Sequence, residues 1–291
     1  MIMNPAAGGG RAARELRAVE ESLALRRLGY RVERTTCLEH ARELALAAVA
    51  AGEIAVAFGG DGIIAAVAGA LQGSDALLGV LPGGRGNDFA RALGIPLDPR
   101  DACEVLANGI ARSIDVGAVN ASTFIGIASC GLDSDANRIT NETRLVSGNF
   151  VYAYGALRAL AEWKPAEFHV AIDGGDRRAF TGYSVAAANS PAYGGGMRLA
   201  PHASMQDGLL DVVMIAHVPK ARFLCGLPSV YKGEHIKQSN VEVVRARELE
   251  IGADRPLTMY ADGDPVAELP VRIRALRGAV RVLVPSPVGS R

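Results

Sequence analysis

Two aspartates set in glycine-rich turns carry the strongest chemical signal in the sequence: Asp61 in Gly59-Gly60-Asp61-Gly62 and Asp88 in Pro82-Gly83-Gly84-Arg85-Gly86-Asn87-Asp88. A third turn, Asn4-Pro5-Ala6-Ala7-Gly8-Gly9-Gly10-Arg11, has the same glycine density without a carboxylate. Glycines let backbone N–H groups approach a phosphate, because no Cβ stands in the way. A helix opening just after such a turn adds its own unpaired N–H groups and the positive end of its dipole. A carboxylate beside a phosphate repels it unless a cation intervenes, and magnesium, held by hard oxygens and shared with nucleotide phosphates, suits that position. The competing reading makes Asp61 and Asp88 caps of the helices that follow, and capping is compatible with metal binding. Singly, a Gly-Gly-Asp-Gly turn is more often an ordinary turn; three such turns on one sheet edge favour phosphate. Neither a Walker-type phosphate loop nor the dinucleotide glycine fingerprint occurs in a strand-to-helix setting.

Positioning those turns requires strands before them and helices after them. Apolar periodicity predicts helices over 12–28, 40–51 and 63–71, a helical turn over 89–93, and strands over 31–35, 54–58 and 77–81. That alternation predicts a doubly wound, largely parallel α/β domain over 1–117, whose carboxyl edge collects the turns. Only three residues precede Asn4, so the first strand is either very short or begins upstream. From 118 to 291 the pattern shifts to short strands at 122–128, 169–172, 183–188, 210–216, 241–244, 248–251, 257–260, 271–275 and 280–284. This predicts an all-β domain, an antiparallel β-sandwich, with the last strand free to pack back toward the first domain. One long helical stretch, 148–163, concentrates Phe150, Tyr152, Tyr154 and Trp163. A cover over the sandwich core and an acyl-chain entrance or bilayer contact both account for it.

Composition removes several function classes. Among 291 residues, 31 Lys plus Arg balance 31 Asp plus Glu, so there is no basic excess to grip nucleic acid or an anionic membrane. No apolar run reaches the roughly 18 residues of a spanning helix, and the first residues lack a secretory signal. The expected location is cytoplasmic. Cys37, Cys103, Cys130 and Cys225 lie far apart and are expected to be buried, reduced thiols. His40, His169, His202, His217 and His235 show no metal-ligand spacing; His217 and His235 are expected at the surface. Lys232 to Lys237 reads as a solvated charge cluster, with a headgroup contact as the alternative.

Taken in order, the three turns, Phe89-Ala90-Arg91, the segment Gly126 to Asp133, Tyr193-Gly194-Gly195-Gly196 to Pro201, Asp207-Gly208-Leu209-Leu210-Asp211, and Asp262-Gly263-Asp264 resemble the diacylglycerol-kinase catalytic-domain superfamily over nearly the whole chain. The resemblance is to the soluble bacterial lipid kinases related to diacylglycerol, sphingosine and ceramide kinases. It implies ATP and Mg2+ bound in the cleft between the two domains, and a lipid alcohol, diacylglycerol first among them, as acceptor. By position it implies that Asn4, Thr35, Gly59, Gly60, Asp61, Gly62, Ile63, Gly84, Arg85 and Asn87 hold ATP, and that Asp61 and Asp88 organise the catalytic Mg2+. Ser204, Asp207 and the carbonyl of Leu209 match a second, structural metal position, and Asp264 matches the proposed base. The sequence departs from the family pattern at Ile63 and Arg85, where Thr is usual, and at Asp264, where Glu is usual. Arg85 could exchange a hydroxyl contact for a bidentate, charged one. The implied partners are a lipid substrate and a transient membrane surface, with no nucleic acid; a homodimer is left open. The rival readings are an NAD-kinase-like enzyme and a nucleotide- or lipid-binding regulator without catalysis.

Overall fold

The computed structural model describes residues 1–132, 134, 135, 139 and 158–287. The helical stretch expected over 148–163 lies outside the described residues except from 158 onward, where it is helical to 162. The chain divides into two compact units. Unit 1 comprises Met1–Val116, Tyr193–Gly196 and Arg277–Arg291; unit 2 comprises Gly117–Ala192 and Met197–Leu276.

Unit 1 is built on a parallel sheet. Its elements are β1 (Ile2–Met3), α1 (Ala7–Leu25), β2 (Glu33–Arg34), α2 (Leu38–Ala50), β3 (Ala55–Gly59), α3 (Asp61–Leu71), β4 (Leu77–Pro82), α4 (Asp88–Ala92) and α5 (Pro99–Asn108). The strand order is β2-β1-β3-β4, with the end of β15 (Val271–Val284) parallel to β4. β3 reads Ala-Val-Ala-Phe-Gly and is almost wholly buried, as a central strand covered on both faces must be. α3 is nearly all apolar and buries Ile63, Ile64, Val67 and Leu71. The order reverses between β1 and β3, and in open α/β sheets ligands bind outside the carboxyl ends of the strands at such a point. β1 pairs with β2 on one side and with β3 on the other.

α5 is absent from the periodicity reading, although Asp98-Pro99 marks its start. The Asp98 carboxylate accepts the Arg100 N–H at 2.9 Å and Pro99 takes the first helical position, the usual arrangement of an N-cap followed by proline.

Unit 2 is antiparallel. It contains β6 (Ser122–Phe124), β7 (Ile127–Gly131), β8 (Ala166–Ile172), β9 (Arg178–Ala188), β10 (Leu210–Ala216), α6 (Lys220–Gly226), α7 (Pro228–Lys232), a 3-10 turn (Glu234–Lys237), β11 (Val241–Ala246), β12 (Glu248–Ala253), β13 (Thr258–Ala261) and β14 (Asp264–Glu268). β5 (Ile110–Val119) runs from one unit into the other, as β15 does. Strands run β14-β13-β7-β9-β8-β12-β15, with β10 and β11 along the other edge of β9. β9 changes neighbours along its length: 178–182 pair with β8 and 184–188 with β7. The changeover falls at Gly182, where a Cβ would lie 2.6 Å from the Ile215 carbonyl oxygen. Phe168, Tyr183, Leu210, Leu249, Met259 and Ile273 form the core, with Trp163 packed among them.

The strands expected at 271–275 and 280–284 are one strand. Gly278 takes φ 58° within it and donates its N–H to the Asp115 carboxylate at 2.7 Å, so a local irregularity reads in the sequence as a break. Two surface expectations are corrected. His235 is 3% exposed, with Nε2 on the Leu199 carbonyl oxygen at 2.9 Å, and burial lowers its pKa. Cys37 and Cys225 are exposed, whereas Cys103 and Cys130 are buried; Cys37 is outside because its sulfur caps α2, accepting from the His40 N–H. Among the described residues, no helix is long and apolar enough to cross a membrane.

Candidate active site

The three glycine turns of unit 1 meet backbone to backbone. The Gly83 N–H donates to the Gly59 carbonyl at 2.7 Å, extending the β3–β4 ladder into the turns. A Cβ on Gly8 would stand 2.5 Å from the Gly83 carbonyl oxygen, and one on Gly84 would stand 2.5 Å from the Gly60 Cα. Only hydrogen fits at either position. Gly8, Gly9 and Gly10 all have positive φ, so the right-handed part of α1 begins after them, which is why apolar periodicity starts only at Ala12. Arg85 is exposed, and its guanidinium lies 3.9 Å from where a Gly9 Cβ would be. A cation from the Pro82–Asp88 turn therefore stands over the Asn4–Arg11 turn.

Replacing Gly84 by Ala is expected to force the Gly59–Gly62 and Pro82–Asp88 turns apart. The expected outcome is a loss of ATP affinity of about tenfold or more, with a stability cost of about 1–3 kcal/mol from overpacking. Calorimetric titration with ATP and thermal melting check it.

Several residues that the sequence marks for ATP also shape these turns. The Asn4 side chain accepts the Ala6 N–H at 3.0 Å. Asn87 is buried with φ 53°; its side chain accepts from the Gly84 N–H at 2.9 Å and donates to the Gly84 carbonyl at 3.1 Å. Thr35 is buried, and its hydroxyl donates to the Cys37 carbonyl at 2.5 Å. Ile63 is in the core, with its side chain against Gly59.

The two carboxylates lie together. Asp61 accepts the Phe89 N–H at 3.0 Å, which caps α4 from a distant turn. Asp88 is 9% exposed; one oxygen accepts the Gly195 N–H at 2.8 Å, and the other is buried without a hydrogen-bond partner. Burial raises the Asp88 pKa, the Gly195 N–H opposes the rise, and the nearby Asp61 charge adds to it. A buried carboxylate with an unused oxygen beside a second carboxylate is an arrangement a cation would relieve. Among the described residues, no group of three or more His, Cys, Asp and Glu side chains is placed to hold a metal. Two carboxylates completed by nucleotide phosphates is nevertheless a usual setting for magnesium, and the unused Asp88 oxygen fits it. The role of Gly195 here is missed by sequence reasoning. The signal was Gly194-Gly195-Gly196, three successive glycines at positive φ.

In unit 2, Asp262 and Gly263 form the two-residue turn between β13 and β14, both with positive φ, as a tight hairpin requires. The Asp262 carboxylate accepts three backbone N–H groups, from Ile125 and Gly126 at 2.8 Å and Ile127 at 3.2 Å. That clamp holds the hairpin rigidly. Asp264 follows it as the exposed first residue of β14. The hairpin and base readings of Asp262-Gly263-Asp264 are thus compatible, and the second aspartate of the motif builds what the first anchors.

The residues of the expected structural metal position hydrogen-bond within their own loop. Ser204 Oγ accepts the Gln206 N–H at 3.2 Å, and Asp207 accepts the Leu209 N–H at 3.0 Å. The Arg245 guanidinium lies 4.0 Å from Asp207 and 3.4 Å from the buried Asp211. A fixed cation of the protein already stands beside these carboxylates.

Comparison with known proteins gives two family matches. The diacylglycerol kinase catalytic domain matches residues 1–119, and the YegS C-terminal NAD kinase beta sandwich-like domain matches residues 126–284. The chain is 33% identical over 252 residues to a diacylglycerol kinase of Mycobacterium tuberculosis, covering 84% of this chain and 81% of that one. It is 32% identical over 260 residues to a diacylglycerol kinase of Bacillus subtilis, covering 86% and 84%. Its fold superposes on the crystal structure of a diacylglycerol kinase from Bacillus anthracis with a TM-score of 0.75, at 20% identity, over 99% of this chain and 97% of that one.

Proposed function

The chain belongs to the diacylglycerol kinase catalytic-domain family of lipid kinases, and from that premise we propose that it transfers the γ-phosphate of ATP to the hydroxyl of diacylglycerol, giving phosphatidic acid. The observation that carries the site assignment is the pairing of Asp61 with Asp88, whose buried oxygen has no partner, beneath three converging glycine turns.

Phosphoryl transfer asks a protein mainly to position groups and stabilise charge. Backbone N–H groups of the turns at Gly8, Gly60 and Gly84 cradle the phosphates, with Asn87 and Asn4 fixing turn shape. Asp61 and Asp88 would hold Mg2+, which when bound neutralises phosphate charge. Arg85 adds a guanidinium to the same anion. Asp264 accepts the proton of the lipid hydroxyl as that oxygen bonds to the γ-phosphorus and the bond to the bridging oxygen of ADP breaks.

Labelled ATP and magnesium, offered with diacylglycerol, monoacylglycerol, phosphatidylglycerol, sphingosine, ceramide and NAD in parallel and followed by extraction and chromatography, test the assignment. Label is expected in phosphatidic acid. Label in another lipid would move the acceptor; label only in NAD would replace it with the NAD-kinase-like reading; ATP binding with no labelled product would make the chain a regulator.

A further inference from the structure

α6 and α7 bury no side chain. Most helices in folded proteins are stabilised by laying an apolar face on the core; here Phe223, Leu227 and Val230 are only half-buried, and a second apolar strip faces outward. Ala221, Leu224, Pro228 and Tyr231 are all exposed and recur at helical spacing across both helices; Leu224 is 37% and Tyr231 59% exposed. Phe223 is held inward by Tyr183, with ring centroids 4.2 Å apart, which leaves the opposite side of α6 outside.

Cations surround this strip. Lys220, Arg222, Lys232 and Lys237 stand against the single acid Glu234 between 220 and 237, in a chain whose formal charge is zero. The contacts that Lys220 and Arg222 make are to neutral oxygens, the Ala161 carbonyl at 2.9 Å and Ser239 Oγ at 3.3 Å. Among the described residues, none of the four cations has a carboxylate partner.

We propose that the α6–α7 face docks unit 2 on an anionic lipid bilayer, with Leu224 and Tyr231 entering the headgroup boundary and the cations pairing with lipid phosphates. The proposal rests on the lipid-kinase reading for its purpose and on the charge and apolar pattern for its occupant. Aliphatic and aromatic tips ringed by long basic side chains suit the boundary between headgroups and acyl chains. Each Lys or Arg near an anionic surface contributes about 1 kcal/mol, which is about fivefold in affinity. The remainder of the chain offsets this locally basic patch, so the attachment is weak and reversible.

The test uses the full chain without ATP. Sedimentation with phosphatidylcholine vesicles containing phosphatidylglycerol is expected to show binding that is absent with phosphatidylcholine alone. A variant with Lys220→Gln, Arg222→Gln and Lys232→Gln should bind about a hundredfold more weakly, and Leu224→Asp with Tyr231→Asp should abolish binding. A polarity-sensitive fluorophore on Cys225, exposed between these residues, in a Cys37→Ser background, should shift to the blue on the anionic vesicles. Vesicle binding without a Cys225 shift, or unchanged binding by both variants, would overturn the proposal. So would a shift that rises with protein concentration in the absence of vesicles, which would assign the face to a second copy of the chain. Phosphorylation of a short-chain, water-dispersed diacylglycerol by the Gln variant separates the two readings. Phosphorylation retained while the parent chain fails to bind vesicles defeats the surface and leaves the kinase; vesicle binding with no phosphorylation of any lipid defeats the kinase and leaves the surface.

Discussion

Replacing Asp264 by Asn is expected to lower ATP-dependent lipid phosphorylation by about two to four orders of magnitude. The substitution keeps the size of the side chain and its place as the first residue of β14, and removes only the ability to accept a proton. The hairpin itself should survive, because its anchor is Asp262, whose carboxylate receives the three N–H groups of Ile125, Gly126 and Ile127. ATP affinity should stay near the parental value, since the phosphate cradle belongs to the glycine turns of unit 1. Asp264→Glu provides the converse control: it keeps a carboxylate one methylene further out and should retain most of the activity. Single-turnover measurements at saturating ATP and lipid separate this effect from product release. Near-parental turnover by the Asn variant would remove Asp264 from proton transfer. Asp262→Asn is expected to behave differently, since a weaker acceptor under three N–H donors loosens the hairpin and lowers stability along with activity.

What the sequence revealed depended on how local the signal was. Strand and helix alternation in the first half was legible because β3 and α3 are strongly apolar at their own periods, and β10 was bounded to the residue because turns flank a run that is apolar except for Asp211. β14 was not legible, since its only core-packing residues, Val266 and Ala267, are adjacent and too few to show an alternating pattern. The same limit applied to the site. Asp61 and Asp88 stand out because glycines flank them within a few residues. Gly195, 107 positions from the carboxylate it contacts, carries no mark of that pairing in its neighbourhood. Asn87 and Thr35 stand in the ATP set because the family resemblance places them there by position, and the hydrogen bonds by which they also close their own turns leave no mark in the sequence. His235 was misplaced for a related reason: Lys232, Glu234 and Lys237 around it are exposed, but a 3-10 turn brings every third residue to one side, and that residue is the one turned inward.

Asp61→Asn is expected to reduce turnover by about two to three orders of magnitude, the usual cost of removing one preorganised electrostatic group from a phosphoryl-transfer or acyl-transfer site. Asn is a sharper choice than Ala here. The Asp61 oxygen that receives the Phe89 N–H at 3.0 Å caps α4, and Ala would remove that cap at a cost of about 1 kcal/mol as well as the charge. Asn keeps an acceptor oxygen in place, so its effect is that of the charge alone. Without a cation, the two carboxylates oppose one another: the Asp61 charge adds to the burial that already raises the Asp88 pKa. The Asn variant should therefore melt at or slightly above the parental temperature in the absence of magnesium, and the Ala variant below it. Adding magnesium with ATP should raise the parental melting temperature and leave that of Asn nearly unmoved, because ligand binding stabilises the folded state only to the extent that it binds. Parental turnover by the Asn variant at saturating magnesium would show that Asp61 serves as the cap of α4 and nothing more; loss of turnover with an intact melting profile would separate its charge from its hydrogen bond and place that charge in the reaction.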